Sequence, residues 1–143
     1  MEHIRNAMER FFGDFERNSN AGETMASVSQ FADVFMFAGP DGVQTVRASD
    51  FALALPKRKK LFDQMGCQST KLVTMSETKL DGRYVLVETE WLMTFARDEG
   101  RSDEVLAGSA FLIDTGGTAL KIVLYLTHQD IMALLRNRGI LPT

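Results

Sequence analysis

The sequence has few of the residues that most often announce chemistry: one cysteine, two histidines, one tryptophan and two tyrosines in 143 residues. With Cys67 alone no internal disulfide can form, which points to a reducing compartment. His3, His128 and one thiol cannot assemble a zinc-type ligand set, so no metal is expected. The chain contains no H-E-x-x-H, G-x-S-x-G, P-loop or G-x-G-x-x-G pattern, and no cofactor is expected either. Long apolar runs are missing too. The run at residues 122–126 is far too short for a bilayer, and Met1-Glu2-His3-Ile4-Arg5 carries charge where a signal peptide would be apolar. Positive charge is not in excess: the formal net charge is −3, which argues against nucleic acid or an anionic membrane as a partner. The expectation is a cytoplasmic protein.

What is present is an ordinary globular composition, 45% hydrophobic and 24% charged. The length suits one domain over residues 1–143, large enough to bury about 70% of the unfolded chain's surface. Ile4, Met8, Phe11, Phe12 and Phe15 recur at helical spacing and predict an amphipathic first helix ending near Asn18-Ser19-Asn20 and Gly22. A shorter helix follows over residues 22–30, with Met25 and Val28 facing inward. Residues 34–37 and 43–47 read as two short strands joined by the turn Gly39-Pro40-Asp41-Gly42. A third helix spans residues 51–64, capped by Ser49 or Asp50, with Pro56 starting a new helix or kinking it and Gly66 closing it.

The second half is a meander. A strand over residues 70–78 leads to runs at 80–95, 105–114 and 119–127, with Gly82, the charged segment 97–104 and Gly116-Gly117 as connections. Val85, Val87, Thr89, Trp91, Met93 and Phe95 fall on one face of the second strand, opposite Glu88 and Glu90. In the last strand Leu120, Ile122, Leu124 and Leu126 alternate with Lys121, Val123 and Tyr125, so parity turns both tyrosines, Tyr84 and Tyr125, away from the concave face. Thr127 and Asp130 read as a capping-box-like start of a short terminal helix ending at Gly139.

Helix, helix, short hairpin, helix and then a long antiparallel sheet is an order that resembles the nuclear transport factor 2-like, or SnoaL-like, superfamily. Phe31-Ala32-Asp33-Val34, Gly39-Pro40-Asp41-Gly42, the segment 51–61, and Leu120-Lys121-Ile122-Val123 leading to His128 carry the resemblance over almost the whole chain. It implies an α+β, cystatin-like cone: a curved antiparallel sheet wrapped around three N-terminal helices, with a short C-terminal helix. It implies a pocket between sheet and helices and, often, a homodimer through the opposite face. Enzymes and non-catalytic modules both occur on this fold, so fold alone assigns no chemistry.

The candidate residues follow. Asp33, between Phe31 and Phe35, stands near where isomerase-like relatives place a carboxylate at the pocket mouth. In an apolar setting a carboxyl holds its proton to higher pH and can shuttle it. The bland alternative is a surface carboxylate. His128 with Asp130 suggests a dyad, against which Asp130 simply faces a helix N-terminus. Trp91 with Met93, Phe95 and Phe35 offers a flat apolar binding surface and one indole N–H, against ordinary core packing. Lys57-Arg58-Lys59-Lys60 reads as a solvated helix face and Cys67 as an inert small hydrophobe. Two functions stand. One is a homodimeric pocket protein binding a small apolar or carboxylated ligand; its dimer surface draws on Lys121, Val123, Tyr125, Leu92 and Thr94. The other is an isomerase, dehydratase or hydrolase-like enzyme using Asp33, assisted by His128. The mostly apolar inward face favours binding.

Overall fold

The computed structural model describes residues 2–140, with side chains from Ala7 onward; Ile4 and His3 therefore lie outside the described side chains. The elements run α1 (Glu2–Ala21), α2 (Thr24–Val28), β1 (Phe31–Gly39), β2 (Gly42–Arg47), α3 (Ala48–Gln64), β3 (Cys67–Lys79), β4 (Tyr84–Ala96), β5 (Ser102–Asp114), β6 (Lys121–Thr127) and α4 (Ile131–Asn137). The class is α+β as expected: two helices, a hairpin, a third helix, the four remaining strands of a six-stranded curved sheet, and a short terminal helix. Strands lie in the order β2-β1-β6-β5-β4-β3. All neighbours are antiparallel except β1 and β6, whose parallel pairing docks the N-terminal hairpin onto the end of the meander.

Local chemistry explains most boundaries. Gly66, at φ +88°, ends α3 so tightly against the end of β4 that a Cβ there would lie 2.7 Å from the Ala96 carbonyl oxygen. The Ala96 amide in turn donates to the Gly66 carbonyl at 2.8 Å. Alanine at position 66 would meet both left-handed strain and a backbone clash. Helix α3 starts directly after β2, with Arg47 in the N-cap position and no side-chain cap. The expected Ser49 or Asp50 cap is thus corrected: Asp50 lies in the first turn, where its charge suits the helix dipole. Pro56 sits inside a continuous helix. The terminal helix is capped by Asp130 itself, whose carboxylate accepts the Ala133 amide at 3.1 Å; Thr127 belongs to β6. Helix α2, only five residues long, leaves Met25 exposed rather than inward. So short a segment can turn its one buried side, Ser27 and Val28, wherever packing demands.

Strand β3 lies at the sheet edge, and α1 covers its start. The Thr70 amide donates to the Asn20 side chain at 2.8 Å, Asn20 returns a bond to the Thr70 carbonyl at 2.9 Å, and the Leu72 amide donates to Glu16 at 3.2 Å. Side-chain bonds of this kind occupy edge groups that would otherwise template another strand.

Two apolar clusters form beneath the sheet. One gathers Met8, Phe11, Phe12, Phe31, Phe35, Val85, Val87, Trp91, Phe111, Ile113 and Ile122, joining α1 and β1 to the far ends of β4 and β5. The other gathers Phe62, Met93, Phe95, Val105, Ala107, Leu135 and Ile140, joining α3 and α4 to the near ends of the same strands. The predicted face of β4 is observed: Val85, Val87, Thr89, Trp91, Met93 and Phe95 are all buried, and Glu88 and Glu90 exposed. Among the described residues no helix is long and apolar enough to cross a membrane.

Candidate functional site

A cavity of about 220 Å³ lies at the seam between the two clusters. Phe31 and Trp91 come to its wall from the first cluster, and Phe62, Met93 and Ala107 from the second. Phe15 of α1, Ser27 of α2 and Phe51 and Leu55 of α3 close it from the helical side. Its exposed rim is polar: Ser19 and Asn20 from the end of α1, Arg58 and Asp63 from α3, and Gln68 from β3. For scale, an engineered dry cavity of about 150 Å³ accepts benzene, so this space suits one substituted ring or two fused ones.

Inside, one polar network is built into the sheet. Thr89 and Ser109 face each other across β4 and β5. Their hydroxyls lie 2.8 Å apart, and the Trp91 indole N–H donates to Thr89 at 2.7 Å and to Ser109 at 3.1 Å. All three residues are buried. The expectation that Trp91 offers its N–H to a ligand is thereby corrected: the donor is consumed internally, and the ring presents an apolar surface. Two other hydroxyls on the wall, those of Ser27 and Tyr125, make no hydrogen bond to any described residue. Ser27 is 8% exposed as a residue, and its uncommitted hydroxyl is open to the cavity it lines.

Tyr125 reaches the cavity against the parity expectation. Pairing of β5 with β6 runs Ile113↔Ile122 and then Leu112↔Leu124, which leaves Val123 without an opposite residue. This bulge reverses the alternation, since one extra residue turns every later side chain to the other face. Tyr125 therefore stacks inward on Phe111 (centroids 4.6 Å) and Phe37 (5.4 Å), while Leu124 and Leu126 turn outward.

The other sequence candidates separate. Trp91 and Met93 line the cavity. Phe35 (2% exposed) and Phe95 (0%) are packed into the first and second cluster respectively and do not line it. Asp33 is exposed and away from the lining. It falls where the pairing of β1 with β6 slips between Phe31 and Met36, so the alternation that would carry it inward is broken. His128 is exposed, its imidazole packed over Gly108, where an added Cβ would lie 3.1 Å from the ring. Asp130 spends its carboxylate on the α4 cap.

Arg58 is the rim residue that reading Lys57-Arg58-Lys59-Lys60 as a solvated run overlooks. The signal was in the spacing: Phe51, Leu55, Arg58 and Phe62 stand four, three and four residues apart, which is the inner stripe of a helix. All four line the cavity, and the Arg58 guanidinium lies 4.7 Å from the centroid of the Phe62 ring. Next to it Lys59 is bonded to Asp63 at 2.6 Å. Cys67 is half-buried at the same end, and burial raises its thiol pKa despite the nearby Thr70 hydrogen bond and Lys59 charge. Among the described residues no three His, Cys, Asp or Glu side chains come together as a metal site.

Comparison with solved structures places this architecture. Aln2 from a Streptomyces species superposes with a TM-score of 0.76 over 95% of this chain and 97% of its own, at 12% identity. An NTF2-like protein with a cystatin-like fold from Novosphingobium aromaticivorans gives 0.72, covering 97% and 89%, at 12% identity. The β subunit of the benzoate 1,2-dioxygenase from Burkholderia mallei gives 0.66, covering 89% and 91%, at 16% identity. No family model matches the sequence, and no curated protein matches it. The chain has the nuclear transport factor 2-like, cystatin-like α+β fold; at these identities the likeness is one of fold.

Proposed function

We propose that the protein binds a small, mainly apolar molecule in the cavity between its two clusters, and does so as a homodimer. The observation that carries the first part is the wall itself: Phe15, Phe31, Phe51, Trp91, Met93 and Tyr125 surround space that a close-packed interior would fill. The placement of titratable groups favours binding over proton transfer. Asp33 and His128 stand in solvent outside the lining, and the one carboxylate on the rim among the described residues, Asp63, is held by Lys59. Thermal stabilisation by a neutral aromatic probe, 2-naphthamide, is the test. Its addition is expected to raise the melting temperature of the wild type saturably and to leave that of Trp91→Ala unmoved. An equal shift in Trp91→Ala removes that ring from the site, and no saturable shift in the wild type contradicts the reading.

The dimer reading rests on the outer face. Leu86, Leu112, Leu124 and Met36 pair in turn across β4, β5, β6 and β1, and further along β4 and β5, beyond Glu88 and Glu90, Leu92 pairs with the 47%-exposed Leu106. A row of leucines meets its own copy across a two-fold axis with like against like, whereas the flanking Glu88 and Glu90 discourage a random apolar collapse. Tyr125, expected on this face from sequence parity, is replaced there by Leu124 and Leu126. Light scattering is expected to give twice the 16.0 kDa chain mass for the wild type and a monomer for Leu112→Glu. A wild-type monomer at micromolar concentration contradicts it.

A further inference from the structure

We infer that the cavity's ligand is an amphipathic carboxylic acid, its ring or rings among the aromatic walls and its carboxylate at the rim on Arg58. This rests on the reading of the cavity as a ligand site and adds the charge and orientation of the occupant. Three observations converge on it. First, Arg58 follows Leu55 and precedes Phe62 on the stripe of α3 that lines the cavity, and it is exposed, so a cationic side chain reaches both the lining and solvent. Second, the charges around it are unequally committed. Lys59 and Asp63 neutralise each other at 2.6 Å, and Arg58 has no ion pair with any described residue. Among the described residues the rim therefore carries one net positive charge, in a protein of formal net charge −3. Third, the guanidinium lies over the Phe62 ring, 4.7 Å from its centroid. Cation–π attraction to a ring restrains a guanidinium while its N–H groups remain able to form the paired bonds that suit a carboxylate.

The opposite orientation is chemically poorer. A carboxylate driven to the inner end would meet Trp91, whose N–H is already given to Thr89 and Ser109, and aromatic faces that repel negative charge. The two hydroxyls on the wall, Ser27 and Tyr125, carry no charge to balance a buried carboxylate and remain available to a polar substituent on the ligand's ring. Charge at the water-facing rim and carbon inside is the arrangement with the smallest desolvation cost.

The experiment is calorimetric titration of 2-naphthoate and of the uncharged 2-naphthamide into wild type, Arg58→Gln, Arg58→Lys and Lys57→Gln. Lys57 makes the same change in net charge from a neighbouring exposed position outside the lining. The expected result is that Arg58→Gln weakens 2-naphthoate about three- to tenfold and leaves 2-naphthamide unchanged. Arg58→Lys should lie between, and Lys57→Gln should match wild type for both compounds. Raising salt from low to high should erode the same preference. If both compounds bind and Arg58→Gln treats them alike, or Lys57→Gln acts as strongly, the charge assignment is overturned while the cavity reading survives. If neither compound binds the wild type, the cavity reading fails and takes this inference with it.

Discussion

The two clusters that flank the cavity differ in how firmly they can hold its walls. On the α1 side Phe12, Phe15, Phe31, Phe35, Phe51, Phe111 and Tyr125 touch one another in a chain of tilted, edge-on and stacked contacts, with centroids from 4.5 to 6.4 Å apart. On the α4 side the one ring pair among the described residues is Phe62 with Phe95 at 6.4 Å, and the remaining contacts come from Met93, Val105, Ala107, Leu135 and Ile140. Interlocked rings have few alternative packings, whereas a methionine and aliphatic side chains covered by a seven-residue helix can shift with little loss. The lesson is a division of labour: one wall sets the shape of the cavity, and the other adapts to what enters.

Substitutions at matched depth break this comparison most sharply. Phe111→Ala, at 0% exposure in the ring chain, is expected to cost about 3–5 kcal/mol in urea unfolding and to abolish ligand-dependent melting shifts. Leu135→Ala, equally buried in the softer cluster, is expected to cost about 2–3 kcal/mol and to leave measurable binding. Equal losses, or binding lost in the second and kept in the first, would erase the distinction.

Smaller effects sharpen it. Trp91→Phe keeps a ring on the wall but removes the donor shared by Thr89 and Ser109; since those hydroxyls still bond each other, a loss of about 1 kcal/mol is expected from urea unfolding. Cys67 reports on the adaptable side. Its thiol titrates above an ordinary cysteine because burial disfavours the thiolate, so alkylation by iodoacetamide should be slow at neutral pH, rise with pH beyond the usual midpoint, and slow further when 2-naphthamide fills the space. An unaltered rate with probe bound would place the probe elsewhere. Least of all, Asp114 is held to a pKa of about 2, first by its bonds from Arg83 and then by the Gly116 amide. A carboxyl lowered in the folded state stabilises above its unfolded pKa and loses that contribution as pH falls towards about 2. Asp114→Asn should therefore flatten the acid side of the stability profile between about pH 4 and 2 and leave neutral binding untouched.

How much of this was legible depended on whether a strand kept its period. Residues 84–96 alternate without interruption, so the buried face of β4, Trp91 and Met93 included, could be read directly. Strand β6 carries its bulge at Val123 with no glycine or proline to mark it, so the alternation read from sequence puts Tyr125 on the wrong face. Asp33 is misplaced for the same reason, because the irregular parallel pairing of β1 with β6 is a property of two strands distant in sequence. Met25 belongs to a helix too short to have a readable face. Phe35 and Phe95 illustrate a different limit. Parity says that a side chain points inward, but whether it meets packed neighbours or open space is decided by the helices above it. Arg58 was legible in its spacing and hidden by its charged neighbours.

The central claim, that space between two unlike clusters receives a ligand, is tested most directly by the emission of the chain's single tryptophan, which stands on the cavity wall. Titrating 2-naphthamide while following Trp91 fluorescence should give saturable quenching in the wild type. The same titration should give none in Ala107→Leu and Ser27→Leu, which fill the cavity from opposite sides, provided each still melts cooperatively. Quenching of the same affinity in a folded, filled variant would contradict the account.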